Sequence, residues 1–305
     1  MEPIAFLDGA LIPASAARLP VYDLGVVGGL AVSEMLRTFR HQPFRVDAHL
    51  ARLQQSLSLV RFSPAIGPAE LRRRILEVVS HNTGLIDPLD DVGVIVFVTA
   101  GWNSTYVGRD AVQGHGCTVG IHTFPLQYQL WADKYAVGVP LRASTVPALP
   151  TSIVDRRIKA RSRLHWHLAE QAVKKREPDA AALLLDEDGS VTETSAANTL
   201  AVIDGVIVSP PAGTVLEGVS LQVTLELASS EGLPWERRRI HVDELEQATE
   251  ILLSSTPPCL LPVCSFNGKI LEAGSRGPIY QKLLAGWNSA TGVDLREQAA
   301  CRGRS

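Results

Sequence analysis

The chain has 305 residues, 46% of them apolar and 20% charged, and a net charge of −3. That length suits one large domain or two medium ones. The weak negative charge gives a polyanion such as nucleic acid nothing to hold, and no apolar run reaches the length of a membrane span. Four scattered cysteines, none in a C-x-x-C pair, fit the reduced thiols of a cytoplasmic protein. His165 and His167 fall on different sides of a helix and no H-E-x-x-H run occurs, so no metal is expected. MEPIAFLDGA has an acid at position 2 and no long apolar core, so no signal peptide is expected.

The first signal in chain order is IAFLDGALIP, two apolar runs joined by Asp8-Gly9. The same pattern returns at Asp188-Gly189, Asp204-Gly205 and Asn267-Gly268, and such dipeptides supply the positive φ that tight hairpins need. LGVVGGLAVSEML (24–36) has glycines without the spacing of a dinucleotide loop. Helical periodicity marks HLARLQQSLSLV (49–60), and PAELRRRILEVVSHN (68–82) opens with a proline suited to a first turn. DDVGVIVFVT reads as a strand. IKARSRLHWHLAEQAVKKR (158–176) has no Gly or Pro and ends in cations, predicting a helix that starts beside Lys159. VSLQVTLELASSEG (219–232) predicts another helix between two glycines. The final EQAACRGRS reads as a frayed tail. Hairpins mixed with separate helices give an α+β fold, mostly antiparallel sheet. The boundaries expected are a small N-terminal α/β domain over 1–122, a linker over 123–138 and a larger domain over 139–305 that carries Lys159.

Three places could carry chemistry. Lysine is scarce, and Lys159 follows a probable strand at a place from which its amine could reach a cleft. An amine becomes nucleophilic when desolvation or nearby cations keep it neutral, although a solvated helix lysine is the commoner outcome of such a position. GTVLEGVSLQ (213–222) places Val219 and Ser220 at a helix start, which is either an anion site or a plain cap. LSSTPP (253–258) ends a strand in three hydroxyls, a phosphate loop or a polar turn. Glu193 in DGSVTETSAANTL stands between threonines with no basic neighbour in sequence.

In chain order these pieces resemble the class IV aminotransferases, the fold-type IV enzymes that use pyridoxal 5'-phosphate, among them branched-chain and D-amino-acid aminotransferases and aminodeoxychorismate lyase. The resemblance runs through FLDGALIP, YDLGVVGGLAVSEMLRTF, HLARLQQS, the lysine segment, LLLDEDGSVTETSAANTLAV, VLEGVSL, EILLSSTPPCLLPV and SRGPIYQKL. It implies that Lys159 holds the cofactor as a Schiff base and shuttles the α-proton, and that Glu193 pairs with the pyridine nitrogen. It further implies that Arg52, Val219, Ser220 and Thr256 bind the phosphate, that Leu216 packs on the ring, and that Asn198 organises the loop after Glu193. The reaction implied moves an amino group between an amino acid and a 2-oxo acid, with pyruvate elimination of the lyase type as the alternative, in a homodimer. Substrate residues depart from the family pattern. Val92 and Val94 stand where branched-chain enzymes carry an aromatic residue and an arginine, Ala100 and Trp102 where D-amino-acid enzymes carry Arg-x-His, and Leu164 where the former have tyrosine. Arg37 is then the candidate carboxylate clamp, or else a strand-surface ion pair. Trp102 and Tyr106 could line the pocket or pack at an interface.

Overall fold

The computed structural model describes residues 1–113 and 115–303. They form two compact units, Met1–Leu126 with Ile158–Ser162, and Gln127–Arg157 with the chain from Arg163 onward. This differs from the division read from sequence. Residues 123–125 still belong to a strand of the first unit, and the segment with Lys159 joins that unit too.

The first unit contains β1 (Ile4–Leu7), β2 (Ala10–Pro13), α1 (Leu24–Val27), β3 (Ala31–Phe39), β4 (Gln42–Pro43), α2 (Val46–Val60), α3 (Pro68–Thr83), β5 (Val92–Thr99), α4 (Ser104–Val107) and β6 (Val119–Pro125). Its six strands pair antiparallel in the order β2-β1-β6-β5-β3-β4. One sheet face is apolar at alternate positions, Val32 and Leu36 on β3 and Val92, Val94, Val96 and Val98 on β5. Leu50, Leu53 and Leu57 of α2 and Leu71, Ile75 and Val78 of α3 pack on that face at helical spacing. Burying each of these leucines contributes about 1.5–3 kcal/mol. The arginine run at 72–74 is a solvated face, ion-paired to Asp47, Glu70 and Glu77.

The second unit contains α5 (Lys134–Val137), β7 (Val139–Ala143), α6 (Leu164–Lys174), β8 (Ala181–Leu185), β9 (Val191–Thr194), β10 (Asn198–Ile203), β11 (Val206–Ser209), α7 (Val219–Ser230), β12 (Trp235–Arg237), α8 (Val242–Leu245), β13 (Glu250–Ser255), β14 (Cys259–Phe266), β15 (Lys269–Ile270), α9 (Pro278–Thr291) and α10 (Leu295–Arg302). The sheet runs β12-β11-β10-β13-β14-β7-β8-β9, with parallel pairs at β11–β12, β14–β7 and β7–β8. One further pair, Asn198 with Glu193, joins β9 back to β10 and closes six strands into a ring. Leu141, Leu183, Ala201, Ile251, Val263 and Phe266 belong to the core of this unit.

The turns at Asp8-Gly9, Asp204-Gly205 and Asn267-Gly268 have positive φ at both residues, as their hairpins require. Between β8 and β9 only Gly189 of its pair does so. Arg40-His41, with φ of 50° and 66°, makes a further hairpin that the sequence did not announce. Two helical expectations change. The helix predicted from 158 starts at Leu164, and the frayed tail is α10, capped by Asp294 and anchored by buried Leu295 and Ala299. Residues 304–305 of that tail lie outside the described residues.

Candidate active site

The Lys159 segment is extended rather than helical because strand β3 uses its backbone. The Ser33 N–H donates to the Lys159 carbonyl at 3.0 Å and the Arg161 N–H to the Ala31 carbonyl at 2.9 Å, with Val32 bridged to Ala160. On the other side the Lys159 N–H donates to Ser56 Oγ of α2 at 3.1 Å. Ser162 adds a hydroxyl bond to the Gly29 carbonyl at 2.6 Å.

Sheet and helix are joined behind this segment by an ion pair. Glu34 lies in the inward row of β3, between Val32 and Leu36, and is 1% exposed. Arg52 of α2 reaches it with Nε to Oε1 at 2.8 Å and Nη2 to Oε2 at 2.7 Å, a two-point clamp, and His49 Nδ1 lies 2.8 Å from Oε2. Burial pushes the Glu34 carboxyl up, but the Arg52 guanidinium and the bonds from Arg52 and His49 overcome it and hold it at about 2. Burial moves His49 the opposite way from a charged histidine. It lowers the imidazole's pKa against the pull of Glu34, and the positive charges of Arg52 and Lys159 add to that lowering. Glu34 and His49 escaped the sequence reading. The signals were available: an acid in the inward row of an apolar strand, and a histidine three residues before Arg52 on the buried face of a helix.

In the second unit, Glu193 ends β9 and both its oxygens are engaged. Asn198 Nδ2 donates to Oε2 at 3.0 Å and the Leu216 N–H donates to Oε1 at 3.1 Å. The same Asn198 amide donates to the Leu216 carbonyl at 2.9 Å, so one side chain fixes the acid and the loop beside it. Thr194 shapes the small-residue stretch: its hydroxyl accepts from the Ala197 N–H at 2.9 Å and donates to the Ala197 carbonyl at 3.1 Å. Gly218 precedes α7, and a Cβ there would run into Asn198 Oδ1. With glycine as N-cap, α7 receives no side-chain cap, and Val219 and Ser220 stand in its first turn. Thr224 Oγ1 and Ser254 Oγ are 3.3 Å apart, and Ser254 pairs with Asn198 in register. These links gather Glu193, Asn198, Leu216, the start of α7 and the end of β13, after which Thr256 opens the turn to β14. A fixed carboxylate suits a ring N–H, and helix-start amides with hydroxyls suit an anion.

Lys159 and Arg52 thus belong to the first unit, and Glu193, Asn198, Leu216, Val219, Ser220 and Thr256 to the second. Arg37, the candidate carboxylate clamp or strand-surface ion pair, is 2% exposed; its guanidinium lies 4.1 Å from the Phe39 ring centre, and Nε donates to the Thr38 carbonyl. Trp102 stacks on His115 at 3.8 Å and meets Tyr22 edge-on, whereas Tyr106 on α4 is exposed. Val92 and Val94 face the core of the first unit. Among the described residues no group of His, Cys, Asp and Glu could hold a metal ion, and no helix is long and apolar enough to cross a membrane.

Both units are those of a known enzyme architecture. The chain overlays on the branched-chain amino acid aminotransferase of Thermobaculum terrenum, solved in its PLP-form, with a TM-score of 0.81 at 21% identity over 97% of this chain and 96% of that one. The Thermoproteus uzoniensis branched-chain aminotransferase, solved with norvaline, gives 0.81 at 24% identity over 99% and 98%. Residues 31–266 match the family model for amino-transferase class IV, and the chain belongs to that family. Among its relatives, the D-alanine aminotransferase of Bacillus licheniformis is 28% identical over 89% of this chain and 91% of its own. Branched-chain-amino-acid aminotransferase-like protein 1 of Arabidopsis thaliana is 27% identical over 94% of this chain, which spans about half that relative's length (50%).

Proposed function

We propose that this protein is a pyridoxal 5'-phosphate-dependent aminotransferase that moves an amino group between an amino acid and a 2-oxo acid. The observation that carries the reading is Glu193, fixed through both oxygens by Asn198 and the Leu216 amide beside an uncapped helix start, in a chain of this family. The chemistry of the residues in each unit suits the cofactor. Glu193 would keep the pyridine nitrogen protonated, Leu216 would pack on the ring, and Asn198 would hold both in place. Arg52, the first-turn amides and hydroxyl of Val219 and Ser220, and Thr256 would take the phosphate. When bound, the cofactor supplies an electron sink for the substrate's α-carbon. Lys159 would hold it covalently and, once displaced by donor amine, move the proton at that carbon.

The substrates on this reading are a small amino acid and a 2-oxo acid. The protein works as a homodimer, a reading supported by exposed Val21, Val26 and Leu30, and in the cytoplasm, supported by four free thiols. The test is borohydride reduction of the yellow protein followed by peptide mapping, with a half-reaction screen against single L- and D-amino acids. A pyridoxyl mass on Lys159 and loss of the visible band with one amino acid are expected. No visible band and no adduct on Lys159 would sink the reading. Pyruvate release from aminodeoxychorismate without an amino acceptor would replace transamination by elimination.

A further inference from the structure

We infer that Ser56 is a positioning residue for Lys159, its hydroxyl pinning the lysine's backbone amide so that the amine projects from a fixed root. The inference rests on the assignment of Lys159 as the cofactor lysine and extends it to a residue on another element.

Ser56 is fully buried on α2, four residues after Arg52 and seven after His49, on the same helix face. Helical hydroxyls in this chain commonly turn back to the carbonyl four residues earlier, as Thr83, Thr224, Ser229 and Ser289 do. Ser56 faces sideways instead and accepts the Lys159 N–H at 3.1 Å. The carbonyl of Lys159 is taken by the Ser33 N–H of β3. The residue next to Ser33 is Glu34, which Arg52 and His49 clamp from α2. Helix, strand and lysine therefore form a closed triangle. Its three sides are the Ser56–Lys159 bond, the Lys159–Ser33 bond and the Glu34 ion pair. Removing the Ser56 hydroxyl opens one side and leaves the Lys159 N–H without that acceptor. A root free to drift misplaces the amine, and misplacement of a reacting group lowers the rate more than the binding.

The experiment compares wild type, Ser56→Ala, Ser56→Cys and a control, Ser58→Ala, exposed on the same helix. Amide hydrogen exchange of the Lys159 peptide is read in the full chain with and without pyridoxal 5'-phosphate, together with kcat and KM. In Ser56→Ala the Lys159 amide should exchange about tenfold faster and kcat should fall about tenfold with KM little changed. Ser56→Cys, similar in size but a weaker acceptor, should fall between, and Ser58→Ala should match wild type. If Ser56→Ala folds poorly, the Cys variant and the wild-type protection factor decide. A wild-type Lys159 amide exchanging like an exposed loop amide, or equal exchange in wild type and Ser56→Ala, overturns the pin. Faster exchange with unchanged kcat overturns the positioning role. Failure of borohydride to label Lys159 in wild type strikes the function reading instead, and the exchange result on the cofactor-free chain still decides the pin.

Discussion

Replacing Glu34 by Gln keeps the shape of the side chain and removes its charge from the clamp with Arg52 and His49. The carboxyl sits at about 2 in the fold against an ordinary 4.5. At 1.36 kcal/mol per unit, that difference stabilises the folded protein by on the order of 3 kcal/mol where the group is ionised. The cost of breaking a buried ion pair by removing one partner, about 3–5 kcal/mol, points to the same size. Because the folded value is depressed, this stabilisation is complete above the unfolded value and is lost as pH falls through the folded one. Urea unfolding followed by circular dichroism should therefore show Glu34→Gln about 3 kcal/mol less stable near pH 7, with the gap closing between about pH 4.5 and about pH 2. A gap below about 1 kcal/mol near pH 7, the range of exposed ion pairs, would refute the reasoning, as would a gap that ignores pH across that window.

His49, whose pKa burial lowers, is neutral in the fold, so its contribution is present above its unfolded value of about 6.5 and is lost as pH falls below it. Wild type should lose unfolding free energy below about pH 6.5 that His49→Gln does not lose, and parallel pH curves would contradict this. Gly218→Ala pushes a methyl group into Asn198 Oδ1 and should cost about 1–3 kcal/mol in thermal or urea unfolding. It should also speed loss of the visible band on dialysis, and a band retained as in wild type would count against the loop's role. Glu193→Gln keeps one acceptor oxygen, enough for either Asn198 or the Leu216 amide, turns its own NH2 toward the other donor and carries no negative charge. Its kcat should drop by about 10²–10³-fold with a smaller change in cofactor retention, and an unchanged kcat would remove Glu193 from the chemistry.

Local chemistry explains which elements were readable. The Asp-Gly and Asn-Gly hairpins announced themselves because those residues tolerate left-handed backbone, whereas Arg40-His41 adopts it under tertiary constraint and leaves no trace in composition. Helices α2, α3 and α7 were legible from apolar spacing and flanking glycines. The segment around Lys159 misled because IKARSR has no helix breaker, and its extended form is set by β3 and Ser56, more than 100 residues away in sequence. Glu193 and Asn198 were located through family resemblance, while the Leu216 amide that completes the carboxylate's holder comes from a loop whose path no local pattern encodes. Arg37 was a clamp candidate because an arginine can grip a carboxylate at two points, with a strand-surface ion pair as the other reading, and no local pattern shows that the side chain is buried against Phe39.

The ring of strands in the second unit is closed by the pair Glu193 and Asn198, the same two residues that present the carboxylate. A strand slipped by one residue turns every side chain to the opposite face. A ring closed one residue out of register would therefore aim Glu193 away from Asn198 and from the Leu216 amide together. On the reading that Glu193 holds the cofactor's ring nitrogen, correct closure of this ring and correct placement of that carboxylate are one event.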